Sequence, residues 1–331
     1  MFGQYLKNYS NILNSIYKIK SHLTSQRKKQ LFFLLLLMVG LSFAEAISLA
    51  SIVPFIGVFI NPEIFYSHPW LNIFIEFFEI TNNDELFLLV TIIFLSLTIT
   101  SFLIKLFFLY LTNKITLFTE ADFKARIFKY NINQSYSYHL KQSSNVVMSS
   151  LIQKTQFIAS YIRNFIEILV SIMILIFIFT ILVLIEPTII LSIALIIIIF
   201  FVSISFFKRR KILKNSEEIS RGQDNIVSIF QDSVGYVGEI ILYSLHNIFI
   251  SKFNKFSYQI AKNLTFNKSV GESPRIYLEY IALICLAILI LIFNQNKSEL
   301  ATNLTILAAL ALGAQKILPL INRIHSALIG L

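Results

Sequence analysis

Between two uniformly apolar stretches lies a polar segment of 68 residues, Lys208 to Arg275. It opens on four consecutive cations, Lys208, Arg209, Arg210 and Lys211, and closes on Glu272, Ser273, Pro274 and Arg275. Pro274 is its one proline, so a segment this long with so few helix breakers reads as a helical hairpin and not as a loop. At about 1.5 Å per residue, the hairpin would reach on the order of 50 Å beyond whatever surface it leaves. Near its middle, Gly235 and Gly238 flank Tyr236 and Val237 and weaken the helix. An apolar cluster follows directly, formed by Ile240, Ile241, Leu242, Leu245, Ile248 and Phe249. An apolar tip on a polar stalk calls for a partner that covers it, and no soluble domain is evident in the rest of the sequence.

The flanks of this segment identify its surroundings. Runs such as Leu31 to Met38 and Ile189 to Phe201 are too uniformly apolar for the half-exposed helices of a soluble domain. With 56% hydrophobic and 14% charged residues, and a mean hydropathy of +0.72, an ordinary soluble protein is excluded. Six membrane spans are expected, at about 31–60, 86–111, 157–184, 188–207, 276–293 and 300–320. The first is long for a bilayer and carries Glu45 inside it and Pro54 near its far end, so it must tilt, kink or project. Residues 1–30 carry Lys7, Lys18, Lys20, Arg27, Lys28 and Lys29, no acid, and apolar residues at steps of three, four or seven. They read as an amphipathic segment on the membrane surface, with a partly disordered tail as the alternative.

Basic residues orient the spans. Residues 1–30, 112–156 and 208–275 hold 6, 6 and 11 Lys and Arg, whereas the three short connections hold 0, 0 and 1. The positive-inside rule then places both termini and both long excursions in the cytoplasm. The same placement accounts for the net charge of +10 without nucleic acid as a partner. The single cysteine, Cys285, excludes an intramolecular disulfide and a cysteine-rich metal site. About 30 rather polar residues precede the first apolar run, which is not the pattern of a cleavable signal peptide.

Ionisable residues inside spans are costly unless paired or wetted, which makes each a candidate site. Glu45, Lys105, Arg163, Glu279, Lys316 and Arg323 form that set. Arg163 and Glu167, and likewise Arg275 and Glu279, stand one helical turn apart and could simply pair with each other. Lys105, Lys316 and Arg323 lie toward the inner ends of their spans, where snorkelling to lipid phosphates is the ordinary role. Alternatively, these cations face a cavity and hold an anionic head group. Glu45 lies nearer mid-span, where it needs a cavity or a buried partner. His68, His139, His246 and His325 lack metal-ligand spacing, His22 sits in the basic tail, and no serine, histidine and acid form a nucleophile arrangement.

Several local sequences resemble the transmembrane domain of ABC exporters. Gln134 to His139, followed by Lys141, Gln142, Ser143, Ser144 and Asn145, is similar to a first coupling helix and the start of its return helix. Gly238, Glu239 and Ile240 through Phe253 resemble a second one. Glu272 to Arg275 with Glu279, the first-span residues Glu45, Pro54, Phe55, Asn61 and Pro62, and Gly313 to Pro319 resemble lipid-linked-oligosaccharide flippases of that family. The resemblance covers essentially the whole chain and implies an all-α membrane fold of type 1. Residues 31–331 would then form the six-span domain, with the two helical excursions at its cytoplasmic end. It further implies that Tyr136, Tyr138, His139, Glu239, Ile240, Leu245 and Phe249 couple to a nucleotide-binding domain.

The sequence has no Gly-x-x-x-x-Gly-Lys-Ser/Thr phosphate loop and no Leu-Ser-Gly-Gly-Gln-like signature, so hydrolysis by P-loop chemistry is not expected of these residues. ATP and magnesium would be bound by a nucleotide-binding domain on another polypeptide or on a longer form of this one. The expectation is the membrane subunit of an ATP-driven exporter or flippase, acting with a second transmembrane half as a homodimer or heterodimer. It would sit as a multi-pass protein among the lipids of a bacterial plasma membrane and move an amphipathic substrate such as a lipid-linked glycan. A peptide or drug exporter, or a non-transporting scaffold that docks a soluble ATPase or regulator, are the other readings.

Overall fold

The computed structural model of the chain describes residues 21–60, 82–141, 147–148, 150–185, 187–293 and 300–330. Among them all regular structure is helical, with no strand. Residues 1–20 of the amphipathic segment expected over 1–30, and residues 61–81 of the acidic connection 61–85, lie outside the described residues.

Helix α1 spans Ser25–Ala50 and starts on a cap, the Thr24 hydroxyl accepting from the backbone N–H of Arg27 at 3.3 Å. It begins six residues before the apolar run. It ends at Ala50 because Pro54 cannot donate to the Ala50 carbonyl and its ring crowds that group. Ser51 keeps a helical backbone at the joint, and the helix resumes as α2, Ile52–Ile60. The long first span is therefore divided into two helical pieces at Ser51. Helix α3 runs unbroken from Asn83 to Ile132, its 50 residues spanning about 75 Å. Asp84 and Glu85 in its first turn and Lys129 in its last complement the helix dipole. A six-residue helix, α4 (Tyr136–Lys141), follows it. A π-helical turn at Ser150–Lys154 leads into α5, Thr155–Ile185.

Helix α6, Pro187–Gly235, carries the fourth apolar stretch directly into the polar segment and stops at Gly235. The short α7, Val237–Leu242, turns the corner, and α8, His246–Phe293, returns through the polar segment into the fifth apolar stretch. Ser244, in the connection from α7 to α8, has a φ of 52°, the one left-handed non-glycine backbone among the described residues. Helix α9, Leu300–Ile329, covers the sixth stretch.

Helices α1, α3, α5 and α9 enclose the main core. Leu34, Met38 and Leu41 of α1 meet Phe108 and Ile115 of α3, Ile166, Val170, Ile174 and Ile178 of α5, and Leu310 and Leu320 of α9. Gly313 lets α9 approach α5 closely, since a Cβ there would stand 3.0 Å from both methyl carbons of Leu182. Outward from this core the same helices are apolar. Phe32, Phe33, Leu36 and Phe43 of α1 and Leu88, Ile92, Leu95, Ile99, Phe102 and Leu103 of α3 are all exposed. Helices with one apolar face packed and the other bare suit a lipid solvent. Three helical segments, Ser25–Phe59, Asn83–Ile132 and Ser150–Leu184, are long and apolar enough to cross a membrane, their best windows having mean hydropathies of 2.2, 2.5 and 3.0. The chain is thus an all-helical protein of membrane character.

Candidate functional site

Two regions gather the residues singled out by the sequence. The first is a charge triad on the apolar length of the bundle. Glu45 of α1 is 6% exposed. One of its carboxylate oxygens accepts from Lys105 Nζ of α3 at 2.5 Å and the other from Lys316 Nζ of α9 at 3.0 Å. Lys316 also donates to the Glu45 backbone carbonyl at 3.3 Å. Three of the six candidate residues therefore meet, the buried Glu45 pairing with two partly exposed lysines. Both lysines reach the same carboxylate, and the opposite charge compensates ammonium groups that stand beside apolar helices.

The other three stand apart. Arg163 of α5 donates to Asn113 Oδ1 of α3 at 2.9 Å, and no ion pair joins it to Glu167, so the local pairing of those two residues is not formed. Its long side chain reaches a neighbouring helix in preference to its own next turn. Glu279 of α8 and Arg323 of α9 lie on exposed faces, and no ion pair joins Glu279 to Arg275.

A second ion pair fixes the level of the triad. Arg27 Nε donates to Asp122 Oδ2 of α3 at 2.9 Å, its guanidinium stacks over Phe118, and Arg126 donates to the His22 carbonyl. From Arg27 to Glu45 is 18 residues along α1, and from Asp122 back to Lys105 is 17 along α3. The two helices thus run antiparallel in register, about 26 Å between the two pairs. Farther along the same two helices, the hydroxyls of Ser48 and Thr98 are 3.4 Å apart. Sequence counting sets Glu45 near mid-span and Lys105 near the end of its span, whereas the register sets them at one level. The difference arises because α1 starts before its apolar run and α3 continues beyond its own.

The second region is the stalk. In it α6 and α8 pack side by side through buried amides. Asn215 donates to Asn267 Oδ1 at 3.0 Å, Asn267 to Ser216 Oγ at 3.3 Å, and Asn263 to Glu218 at 2.8 Å. The Asn263 amide, above all, holds the Glu218 carboxyl below its ordinary range. Lys211 lies 4.2 Å from the centre of the Phe266 ring. Where the stalk meets the bundle, Pro274 lies inside the continuous α8, and the Gly271 carbonyl one turn before it accepts from Ser326 Oγ at 3.1 Å and faces His325 Nδ1 at 3.2 Å. The missing N–H of Pro274 leaves the Val270 carbonyl without its helical partner, and Ser273 Oγ donates to it at 3.2 Å.

At the tip, Ile240 is buried at 6%, Leu245 and Phe249 are half-buried, and Glu239 is exposed. The residues that face outward are Ile241, Leu242, Tyr243 and Ile248, with Leu242 at 75% exposure. Of the apolar residues proposed for coupling at this tip, the structure turns three at least partly inward. The chain turns between the short α7 and α8 within the stretch from Gly238 through Phe253, which a single coupling helix over that stretch does not anticipate. In the other excursion Tyr136 is 78% exposed, His139 is exposed, and Tyr138 packs edge-on against the His139 ring at 5.8 Å. No family model matches the sequence.

Proposed function

We propose that the chain is the transmembrane unit of an ATP-driven exporter or flippase of the ABC type, moving an amphipathic substrate out of the cytoplasmic leaflet. The observation that carries the reading is a repeated pattern. Helices α3 and α6 each run without a break from an apolar length into a polar one, and each is followed by a six-residue helix, α4 or α7, with bare apolar or aromatic side chains. A long stiff helix ending in a short docking helix is a lever. Its apolar face fits a groove on a soluble partner, and a rigid arm carries the partner's motion back to the bundle.

In this reading all six apolar stretches span the membrane, both excursions are cytoplasmic, and α4 and α7 dock a nucleotide-binding domain that binds ATP with magnesium. A second transmembrane half closes the cavity. A lipid-linked glycan is the cargo suggested by resemblance.

The test is co-expression with the P-loop ATPase encoded nearest the gene, followed by reconstitution into vesicles. Ile241→Asp with Leu242→Asp is expected to abolish transport at least tenfold while leaving membrane insertion and the ATPase's own turnover intact. Transport at wild-type rates in that double variant would overturn the docking role. A chain that binds the ATPase yet moves no amphiphile would leave a docking scaffold.

A further inference from the structure

The triad has a charge that its own residues do not balance. Two ammonium groups share one carboxylate, so the cluster carries a net charge of +1 beside apolar helices. Each ammonium has three N–H donors. Lys105 uses one, on Glu45, and Lys316 uses two, on the Glu45 carboxylate and backbone carbonyl. Among the described residues neither lysine has a further partner. Their side chains are 49% and 31% exposed, whereas that of Glu45 is 8% exposed. The carboxylate therefore lies behind the cations, and unused donors from two different helices face outward. An uncompensated cation at this level of a membrane bundle is costly, and an anion laid over the two lysines would remove that cost.

We propose that Lys105 and Lys316, backed by Glu45, form a binding site for a singly charged anionic head group, of the phosphodiester class carried by lipids. Glu45 sets the charge that the site accepts. With it ionised, one negative charge neutralises the cluster and a second would face the carboxylate's field. Arg163 stands apart from the site, at Asn113, about 12 Å along α3 from Lys105. The inference rests on the membrane character of the chain and not on the exporter reading, and its test needs no ATPase.

Full-length chain, delipidated in a non-ionic detergent, would be titrated with short-chain phosphatidylglycerol, phosphatidylcholine and diacylglycerol, and bound lipid counted by native mass spectrometry. Wild type is expected to prefer phosphatidylglycerol by about tenfold or more over the other two. Lys105→Gln or Lys316→Gln should weaken phosphatidylglycerol binding about ten- to a hundredfold, as expected for a lost charge-assisted contact, with little effect on phosphatidylcholine. Glu45→Gln should do the reverse, strengthening phosphatidylglycerol binding and favouring doubly charged phosphatidic acid still more. A merely structural carboxylate would not produce that inversion.

Should Glu45→Gln fail to fold, Glu45→Gln with Lys316→Gln restores the net charge of +1 and is expected to bind phosphatidylglycerol within about threefold of wild type. Competition by glycerophosphoglycerol, the same singly charged phosphodiester without acyl chains, would show that the free head group suffices, and its failure beside lipid binding would assign the site to head groups held in a membrane. Equal binding of phosphatidylglycerol and phosphatidylcholine by wild type would overturn the proposal. So would a preference unmoved by either lysine variant.

Discussion

A carboxylate on an apolar helix costs several kcal/mol unless it is paired, and the partners of Glu45 come from 60 and 271 positions away in the chain. One side chain thereby ties α1 to α3 and to α9. Removing it leaves two ammonium groups facing each other with no anion between them. Breaking a buried pair from one side costs about 3–5 kcal/mol, and the partial exposure of the lysines reduces this to roughly 2–3 kcal/mol. Glu45→Leu is therefore expected to lower the thermal unfolding temperature in detergent markedly. Adding Lys105→Met and Lys316→Met should recover most of that loss, because an apolar cluster of similar volume needs no counter-charge. Failure of the triple variant to recover stability would mean that Glu45 supports the fold by something other than its charge. Among the residues flagged in the sequence, cost alone was enough to mark Glu45, Lys105 and Lys316. Nothing in their spacing shows that they meet, since each belongs to a different helix and contact depends on how the helices pack. Arg163 shows the converse. Its spacing to Glu167 is that of a local pair, yet a neighbouring helix offered Asn113.

At the scale of elements, the stalk is held in register by polar groups instead of a continuous apolar seam. Asn215 and Asn267 are both buried and hydrogen-bonded to each other across α6 and α8. A buried amide on a helix pair selects one alignment at a cost in stability, since any other alignment leaves it without a partner. Asn215→Ala strands the Asn267 carbonyl oxygen and is expected to destabilise the hairpin by about 1–3 kcal/mol. Replacing both residues with Leu should be neutral or stabilising but loosen the alignment. Cysteines introduced at Ser216 and Asn267's neighbour Lys268, with Cys285 replaced by Ser, would report it by their rate of disulfide formation. A slower single product in wild type and faster, mixed crosslinking with flanking positions in the double Leu variant is the expected outcome. Identical crosslinking in both backgrounds would remove the register role. The hairpin itself was legible, because long polar helices with one proline and paired glycines leave few alternatives. Its tip was less so: α7 and the left-handed Ser244 turn Ile241 and Leu242 outward and Ile240 inward.

For the molecule as a whole, the order of apolar and polar lengths carries a topological consequence. Helices α3 and α6 leave their apolar lengths with Lys- and Arg-rich continuations, so both short helices belong on one side of the membrane if the positive-inside rule holds. In a Cys285→Ser background, single cysteines at Tyr136 and Leu242 are expected to react with a membrane-impermeant maleimide in inverted vesicles and to remain unlabelled in intact cells. Opposite sidedness for the two positions would refute the shared cytoplasmic placement and, with it, the docking of both by one partner. The exposed apolar surfaces of α1 and α3 match this setting, and their bare face is the part of the fold that a membrane completes.

The sequence by itself determined the helical class, the membrane character, a first span disturbed by Pro54 and the long stalk with its weakened turn. Each of these follows from local rules that act within a few residues: apolar run length, proline's missing donor, glycine's freedom and the low density of breakers. Tertiary structure decided the antiparallel register of α1 on α3, the meeting of Lys105 and Lys316 on Glu45, the capture of Arg163 by Asn113 and the side on which the tip residues emerge. Those depend on the phase and depth at which one helix lies against another. Phase and depth are set by side-chain packing between residues far apart in the chain, of which Gly313 against Leu182 is one instance, and no local pattern encodes them.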